Sequence, residues 1–192
     1  QQLLTASGRA IAFDVGDRRW EGLSAYGIGR IRSCRGDYRG AVTEERAALR
    51  LIERDGNRVE IAKVCTGLGG NLYELGRFRE AEGVLGRAME EARAAGAAGV
   101  LSIAVYNLGS LQWKAGRYKD AMPIYAEGMD LNEGLEQYDK AGECAAWYAA
   151  CAARLGMRDV SEDGFRTAES LLARVRVPAL RVKALRELAD AE

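Results

Sequence analysis

The chain has 192 residues, and its 28 lysines and arginines balance its 28 aspartates and glutamates. A net charge of zero argues against a broad electrostatic surface for nucleic acid, which needs clustered excess basic charge. No apolar run reaches the roughly 18–20 residues that a membrane span requires. We therefore expect a cytoplasmic protein that contacts neither nucleic acid nor a membrane directly.

The four cysteines, at positions 34, 65, 144 and 151, form no CxxC pair, and the sequence contains no histidine. Zinc sites use closely spaced Cys and His ligands, so we expect no metal and no cofactor. Buried, reduced thiols are the simpler interpretation. The lack of histidine also removes the commonest general base, and we expect no enzymatic activity.

A short motif recurs with a period of 40 residues, beginning with Gly36, Gly76, Gly116 and Gly156. An aromatic residue follows two positions after each of the first three glycines, whereas the fourth copy has Arg158 there. A small residue precedes each of these glycines by seven positions: Gly29, Gly69, Gly109 and Ala149. A fixed period of 20–50 residues is typical of a solenoid of stacked repeats.

Each period predicts two antiparallel helices, because apolar residues recur at helical spacing and a glycine ends the first helix. In the third copy, Gly109 and Ala121 are expected to face each other, so that the two backbones approach closely. In chain order the predicted elements are the second helix of a partial repeat (1–14), repeat 1 (15–54), repeat 2 (55–95), repeat 3 (96–135), repeat 4 (136–176) and the first helix of a partial repeat (177–192). The chain begins with Gln rather than Met, and neither end has the polar cap that a solenoid needs. We expect a fragment of a longer array, or one that associates through its ends.

The motif residues of the second and third copies, Leu68-Gly69 to Ala88 and Leu108-Gly109 to Tyr125, resemble the tetratricopeptide repeat pattern. The usual period of that family is about 34 residues, so the longer period here is similar to the subclass found in kinesin light chains, in LGN/Pins-type polarity adaptors and in bacterial signalling proteins. The first copy departs from the pattern at Glu45, where a large apolar residue is expected. The resemblance implies an all-α fold, a right-handed superhelical α-solenoid of antiparallel helix pairs.

The resemblance also implies that the first helices line a concave groove that holds a protein or peptide segment. In related arrays an Asn before the Leu-Gly pair hydrogen-bonds the backbone of a bound peptide, and Asn107 stands there; the alternative is an exposed helical Asn with no partner. Trp113 and Trp147 either contact a partner or pack between repeats. We expect Arg30, Tyr106, Asn107 and Trp113 to line one continuous surface. The residues expected to bind a partner are Tyr26, Arg30, Lys63, Tyr73, Tyr106, Asn107, Ser110, Trp113, Lys114 and Trp147.

Three functions remain open. The first is a non-enzymatic scaffold that binds a protein or peptide in the groove. The second is a ligand-sensing or regulatory segment of a multidomain bacterial signalling or transcription regulator. The third is self-assembly into a homo-oligomer through uncapped ends.

Overall fold

A computed structural model of the protein describes residues 18–175, and these residues contain eight α-helices and no strand. The chain divides into two compact units, of which the first ends at Ala104 and the second begins at Val105. The predicted terminal half-repeats, 1–14 and 177–192, lie outside the described residues, as does the self-association predicted through them. The other predicted repeat boundaries stay predictions.

The described part of the first unit, residues 18–104, contains four whole helices and the start of a fifth: α1 (Arg18–Cys34), α2 (Tyr38–Ile52), α3 (Arg58–Glu74), α4 (Phe78–Ala94) and α5 (Ala98–Lys114). Helix α1 packs on α2, α2 on α3, and α3 on α4. Two of these helices begin with a side-chain cap, in which Asp37 accepts a hydrogen bond from the Gly40 amide and Asn57 accepts one from the Glu60 amide. Such caps satisfy backbone N–H groups that have no partner within the helix.

The second unit continues with the rest of α5, followed by α6 (Tyr118–Gly134), α7 (Tyr138–Arg154) and α8 (Arg158–Ala173). Helix α6 packs on α7, and α7 on α8. Its core holds the ring of Tyr125, which is only 1% exposed, and the buried thiols of Cys144 and Cys151. Pro123 is the sixth residue of α6, further from the helix start than the first turn. Proline has no N–H to donate to the carbonyl four residues earlier in the helix. Pro123 lies on the exposed side of α6, where water can take the place of that donor.

A tight turn separates successive helices every 20 residues, as two helices in each 40-residue period require. Six of these turns contain a glycine with positive φ: Gly36, Gly56, Gly76, Gly96, Gly116 and Gly156. At the remaining turn, Glu136 adopts a φ of 56°, which is uncommon for a residue with a side chain. The turn chemistry therefore sets the helix lengths, and one turn uses a residue poorly suited to its conformation.

The small residues of the motif leave space for a large side chain from the second helix of each pair, not for a second small residue. A Cβ atom added at Gly109 would lie 2.7 Å from Cε1 of Tyr125, and one at Gly69 would lie 2.5 Å from Cγ of Leu85. The expectation that Gly109 mainly faces Ala121 therefore needs correction. The larger side chain one turn further along the second helix occupies the space that the glycine leaves.

Three of the four cysteines are buried as expected, but Cys34 is exposed. It is the last residue of α1 and lies beside the turn, where the helix end is open to solvent. Burial raises the pKa of the Cys65 thiol to about 11 and that of Cys144 to about 12. Both thiols are therefore protonated and unreactive at neutral pH.

Candidate functional site

Two faces, one in each unit, carry the residues that the sequence predicts to bind a partner. Tyr26 and Arg30 lie on α1, and Lys63 and Tyr73 lie on α3, all in the first unit. Tyr106, Asn107, Ser110, Trp113 and Lys114 lie on α5, and Trp147 lies on α7, in the second unit. Their assignment to a binding surface stays a prediction.

In the first unit a hydrogen bond joins the two predicted helices. The Tyr26 hydroxyl donates to the backbone carbonyl of Lys63 at 3.1 Å. The Arg30 and Lys63 side chains are exposed, so two positive charges project from this face. The Tyr73 ring lies 5.9 Å from the Phe78 ring and is half-buried. This face combines fixed aromatic rings with exposed cations, which are residue types found at binding hot spots.

Beneath this face lies a buried carboxyl group. Glu45 is fully buried, and its Oε2 accepts a hydrogen bond of 2.8 Å from Nδ2 of Asn71. Its Oε1 has no hydrogen-bond partner. A Cβ atom added at Gly67 would lie 2.8 Å from this oxygen, and one at Gly29 would lie 2.8 Å from Cγ of Glu45. Two glycines therefore make room for the carboxyl group.

The environment of Glu45 favours its protonated form. Burial raises the pKa of this carboxyl to about 7, although the hydrogen bond from Asn71 and the positive charge of Arg30 act in the opposite direction. The sequence marked Glu45 as a departure from the repeat pattern but gave no reason to pair it with Asn71. Forty residues further along, the corresponding positions are Leu85 and Leu111, which are both buried. A comparison of positions 45 and 71 with positions 85 and 111 is the sequence signal that could have identified this polar pair.

In the second unit the predicted aromatic residues pack on one another. Trp113 contacts Tyr118 with ring centroids 4.9 Å apart, and it contacts Trp147 at 5.2 Å. Trp147 stacks on Tyr125 at 6.4 Å, and Tyr106 meets Tyr125 edge-on at 6.5 Å. The Arg154 guanidinium lies over Trp113, 5.7 Å from the ring centroid. Packing between helices therefore accounts for both tryptophans, yet each is only half-buried and keeps an accessible surface.

The polar residues of this second face differ in the hydrogen bonds that they make. Ser110 Oγ donates a hydrogen bond of 2.9 Å to the carbonyl of Tyr106, and it accepts a longer one of 3.5 Å from the Tyr125 hydroxyl on α6. Asn107 is half-buried and precedes Leu108-Gly109 by one position. Its side chain makes no hydrogen bond within residues 18–175. Lys114 is exposed at the end of α5. The amide of Asn107 therefore has both donor and acceptor capacity to offer a partner.

The described residues include no group of three or more Cys, Asp or Glu side chains placed to hold a metal ion. None of the helices between residues 18 and 175 is long and apolar enough to cross a membrane.

The family model of the tetratricopeptide repeat matches residues 104–141. These residues include the end of α5, the whole of α6 and the Gly109–Tyr125 contact between them. Residues 104–141 therefore form a tetratricopeptide repeat. The described helices have the all-α fold of paired helices that the family shows, as the sequence predicts. Assignment to the kinesin-light-chain type of repeat stays a prediction.

Two solved structures have folds similar to that of this chain. The structure of aspartyl phosphate phosphatase F from Bacillus subtilis matches with a TM-score of 0.82 and 14% identity, over 95% of this chain and 47% of that one. The structure of YrrB, described as a tetratricopeptide repeat protein with an unusual peptide-binding site, matches with a TM-score of 0.51 and 17% identity, over 96% of this chain and 92% of that one. The chain thus spans about half the length of the phosphatase. No curated protein sequence matches it.

Proposed function

We propose that this chain is a non-enzymatic scaffold that binds an extended protein or peptide segment on the first-helix face of its second unit. The observation that carries the proposal is the arrangement around Asn107. Its uncommitted amide lies on the same helix as Tyr106 and Trp113, whose rings are fixed by packing yet keep accessible surface. Rigid aromatic side chains lose little entropy on binding and are enriched at hot spots.

The fold comparison supports the proposal. YrrB is described as having a peptide-binding site, and its fold is similar along nearly the whole of both chains. A bound segment in extended conformation presents backbone N–H and C=O groups that the Asn107 amide can meet simultaneously. The exposed cation of Lys114, at the end of the same helix, favours an acidic residue in that segment.

Tryptophan fluorescence provides the test. A Trp20→Phe background leaves only Trp113 and Trp147 as emitters, since the chain has three tryptophans. Peptides selected on the chain from a random display library are then synthesised and titrated. We expect Asn107→Ala and Lys114→Ala to weaken binding about tenfold or more, which corresponds to about 1.4 kcal/mol.

Lys119→Ala is the matched control, because Lys119 is also an exposed lysine but lies on α6. Binding that all three variants leave unchanged would place the interaction elsewhere and contradict the proposal. Emission that does not respond to a bound peptide would contradict contact at the Trp113–Trp147 pair.

A second function is favoured by the length relationship to the phosphatase structure, of which the chain covers 47%. In this proposal the tetratricopeptide repeats form one regulatory segment of a longer cytoplasmic signalling protein. The full-length gene decides between the two: an open reading frame that continues into a further domain supports the regulatory segment, and one confined to repeats contradicts it.

A further inference from the structure

A basic recess lies between α2 and the turn that follows α3. Its volume is about 390 Å³, and four arginines line it: Arg39, Arg46 and Arg50 of α2, and Arg77 from the turn after α3. Spacings of seven and four residues place the three α2 arginines on one side of that helix. Val42 and Leu75 provide apolar wall between the cations.

The arginines of the recess already hold one oxyanion. Arg46 Nη2 donates to Oε2 of Glu80 at 2.6 Å, and Arg77 donates to the same carboxylate through Nε at 2.6 Å and Nη2 at 2.8 Å. Glu80 therefore fixes two guanidinium groups in place, and the arginine hydrogen bonds lower the pKa of its carboxyl. The planar fork of arginine suits such bidentate contacts with carboxylates.

The other two arginines are uncommitted. Arg39 and Arg50 are exposed and make no ion pair within residues 18–175. Nearby acids have partners elsewhere: Asp37 and Glu44 pair with Arg32, and Glu53 pairs with Arg87. The single carboxylate of Glu80 neutralises one of the four positive charges, so the recess keeps a net positive charge.

Two of the four arginines are specific to the first repeat. Forty and eighty residues after Arg46 the chain has Gly86 and Ala126, and after Arg50 it has Glu90 and Asp130. The positions of Arg39 and Arg77 stay basic at the same period, as Arg79, Lys119 and Arg117. The repeat pattern therefore accounts for two of the cations, whereas Arg46 and Arg50 need an explanation other than the fold.

We propose that the recess binds an extended acidic segment of a partner protein, with two carboxylates four residues apart and an apolar residue midway between them. Arg39 and Arg50 are eleven residues apart, which corresponds to about 16 Å along a helix. An extended chain covers about 13 Å in four residues at roughly 3.3 Å each, and residues two and four positions apart lie on the same face. The long arginine side chains span the remaining distance. The apolar side chain lies against Val42 and Leu75. The recess has no aromatic lining on which bases could stack, which disfavours single-stranded nucleic acid.

The probe is a fluorescein-labelled nine-residue peptide of Ser and Gly with Glu at positions 2 and 6 and Leu at position 4. Its control has the same composition with adjacent glutamates. Fluorescence anisotropy at constant ionic strength is expected to show tighter binding of the spaced peptide. Arg39→Gln and Arg50→Gln are each expected to weaken it tenfold or more, whereas Arg54→Gln removes an exposed arginine outside the recess and changes affinity less than twofold. Circular dichroism verifies that each variant is folded.

A double-mutant cycle with Glu→Gln in the peptide identifies which glutamate contacts which arginine. Coupling of Arg39 to one glutamate and of Arg50 to the other supports the proposal and gives the peptide's direction. Equal binding of the two peptides, equal loss with Arg54→Gln, or no binding overturns it. Tighter binding of a single-stranded oligonucleotide, abolished by the same two variants, also overturns the assignment to a protein segment. None of these outcomes depends on Asn107 or Lys114, so failure here is distinguishable from failure of the scaffold proposal.

Discussion

Asn71 on α3 donates a hydrogen bond of 2.8 Å to Glu45 on α2, and both side chains are buried between helices of the first unit. This polar contact occupies positions where the next repeat has two leucines. A buried carboxyl with one unpartnered oxygen is costly, and more so when it is charged. The free energy of unfolding of the first unit therefore depends on whether the Glu45 carboxyl is protonated.

Stability is expected to fall as the pH rises through neutrality. Below pH about 4.5 the Glu45 carboxyl is protonated in both the folded and the unfolded chain. Between pH 4.5 and 7 the unfolded chain releases this proton while the folded chain retains it, because the folded pKa is raised to about 7. Above pH 7 the free energy of unfolding is therefore up to about 3 kcal/mol smaller than at acidic pH. Urea unfolding at pH 5 and pH 8 measures the difference.

Glu45→Gln is the control for this experiment, since an amide cannot titrate. The variant is expected to lose the part of the pH dependence that Glu45 causes, while contributions from exposed carboxylates remain. A Glu45→Gln protein with the same difference between pH 5 and pH 8 as the original would show that Glu45 does not titrate in this range.

Replacement of the pair by leucine is expected to stabilise the protein only when both residues change. Glu45→Leu alone leaves the buried Asn71 amide without its partner, which costs about 1–3 kcal/mol. The double substitution Glu45→Leu with Asn71→Leu reproduces the apolar residues of positions 85 and 111 and removes both polar groups. Unfolding free energies at pH 8 for the two single variants and the double variant give the coupling. Strictly additive effects would contradict the contact.

The contact between Gly109 and the Tyr125 ring leaves no space for a methyl group. Gly109→Ala would place its Cβ atom 2.7 Å from Tyr125 Cε1, and we expect a loss of about 1–3 kcal/mol from overpacking. Leucine at the same position should cost more. Gly83→Ala on α4 is the matched control, because nothing lies within 4 Å of its added Cβ atom. That change should stabilise the helix by about 0.5–1 kcal/mol. Thermal midpoints that shift in the same direction for both variants would refute the packing argument.

The turn at Glu136 offers a stabilising substitution. A residue with a side chain in the left-handed region costs roughly 1–2 kcal/mol, whereas glycine adopts it without that penalty. Glu136 is exposed and has a φ of 56°, so Glu136→Gly is expected to raise the thermal midpoint by a few degrees. The reciprocal change Gly116→Ala, at a φ of 71°, should lower it. A lower midpoint for Glu136→Gly would mean that the glutamate side chain has a stabilising contact.

Periodicity in the sequence is sufficient to predict the helix pairs, because the glycines and apolar residues act through local backbone geometry. The interpretation of Gly116 as a helix stop is confirmed by its positive φ. Glu45 was recognised as an exception, but its pairing with Asn71 depends on contacts between helices that no local rule encodes. The arginine recess escaped prediction for a similar reason, since Arg77 joins the α2 arginines only through the fold. The role of Asn107 stays a prediction, because side-chain geometry alone does not identify a ligand.

The turns at Gly36, Gly76, Gly116 and Gly156 have φ values between 71° and 78°, so the backbone passes through nearly the same conformation at each. A genetic exchange that joins one of these glycines to the residue after another therefore preserves the local chain geometry at the junction. Gene segments of 40 codons, or of a multiple of 40, can be duplicated or lost in phase, whereas another change of length between two such junctions shifts the repeat register. The length of such a protein changes in steps, and each new copy is free to acquire a cluster like that of Arg39, Arg46 and Arg50.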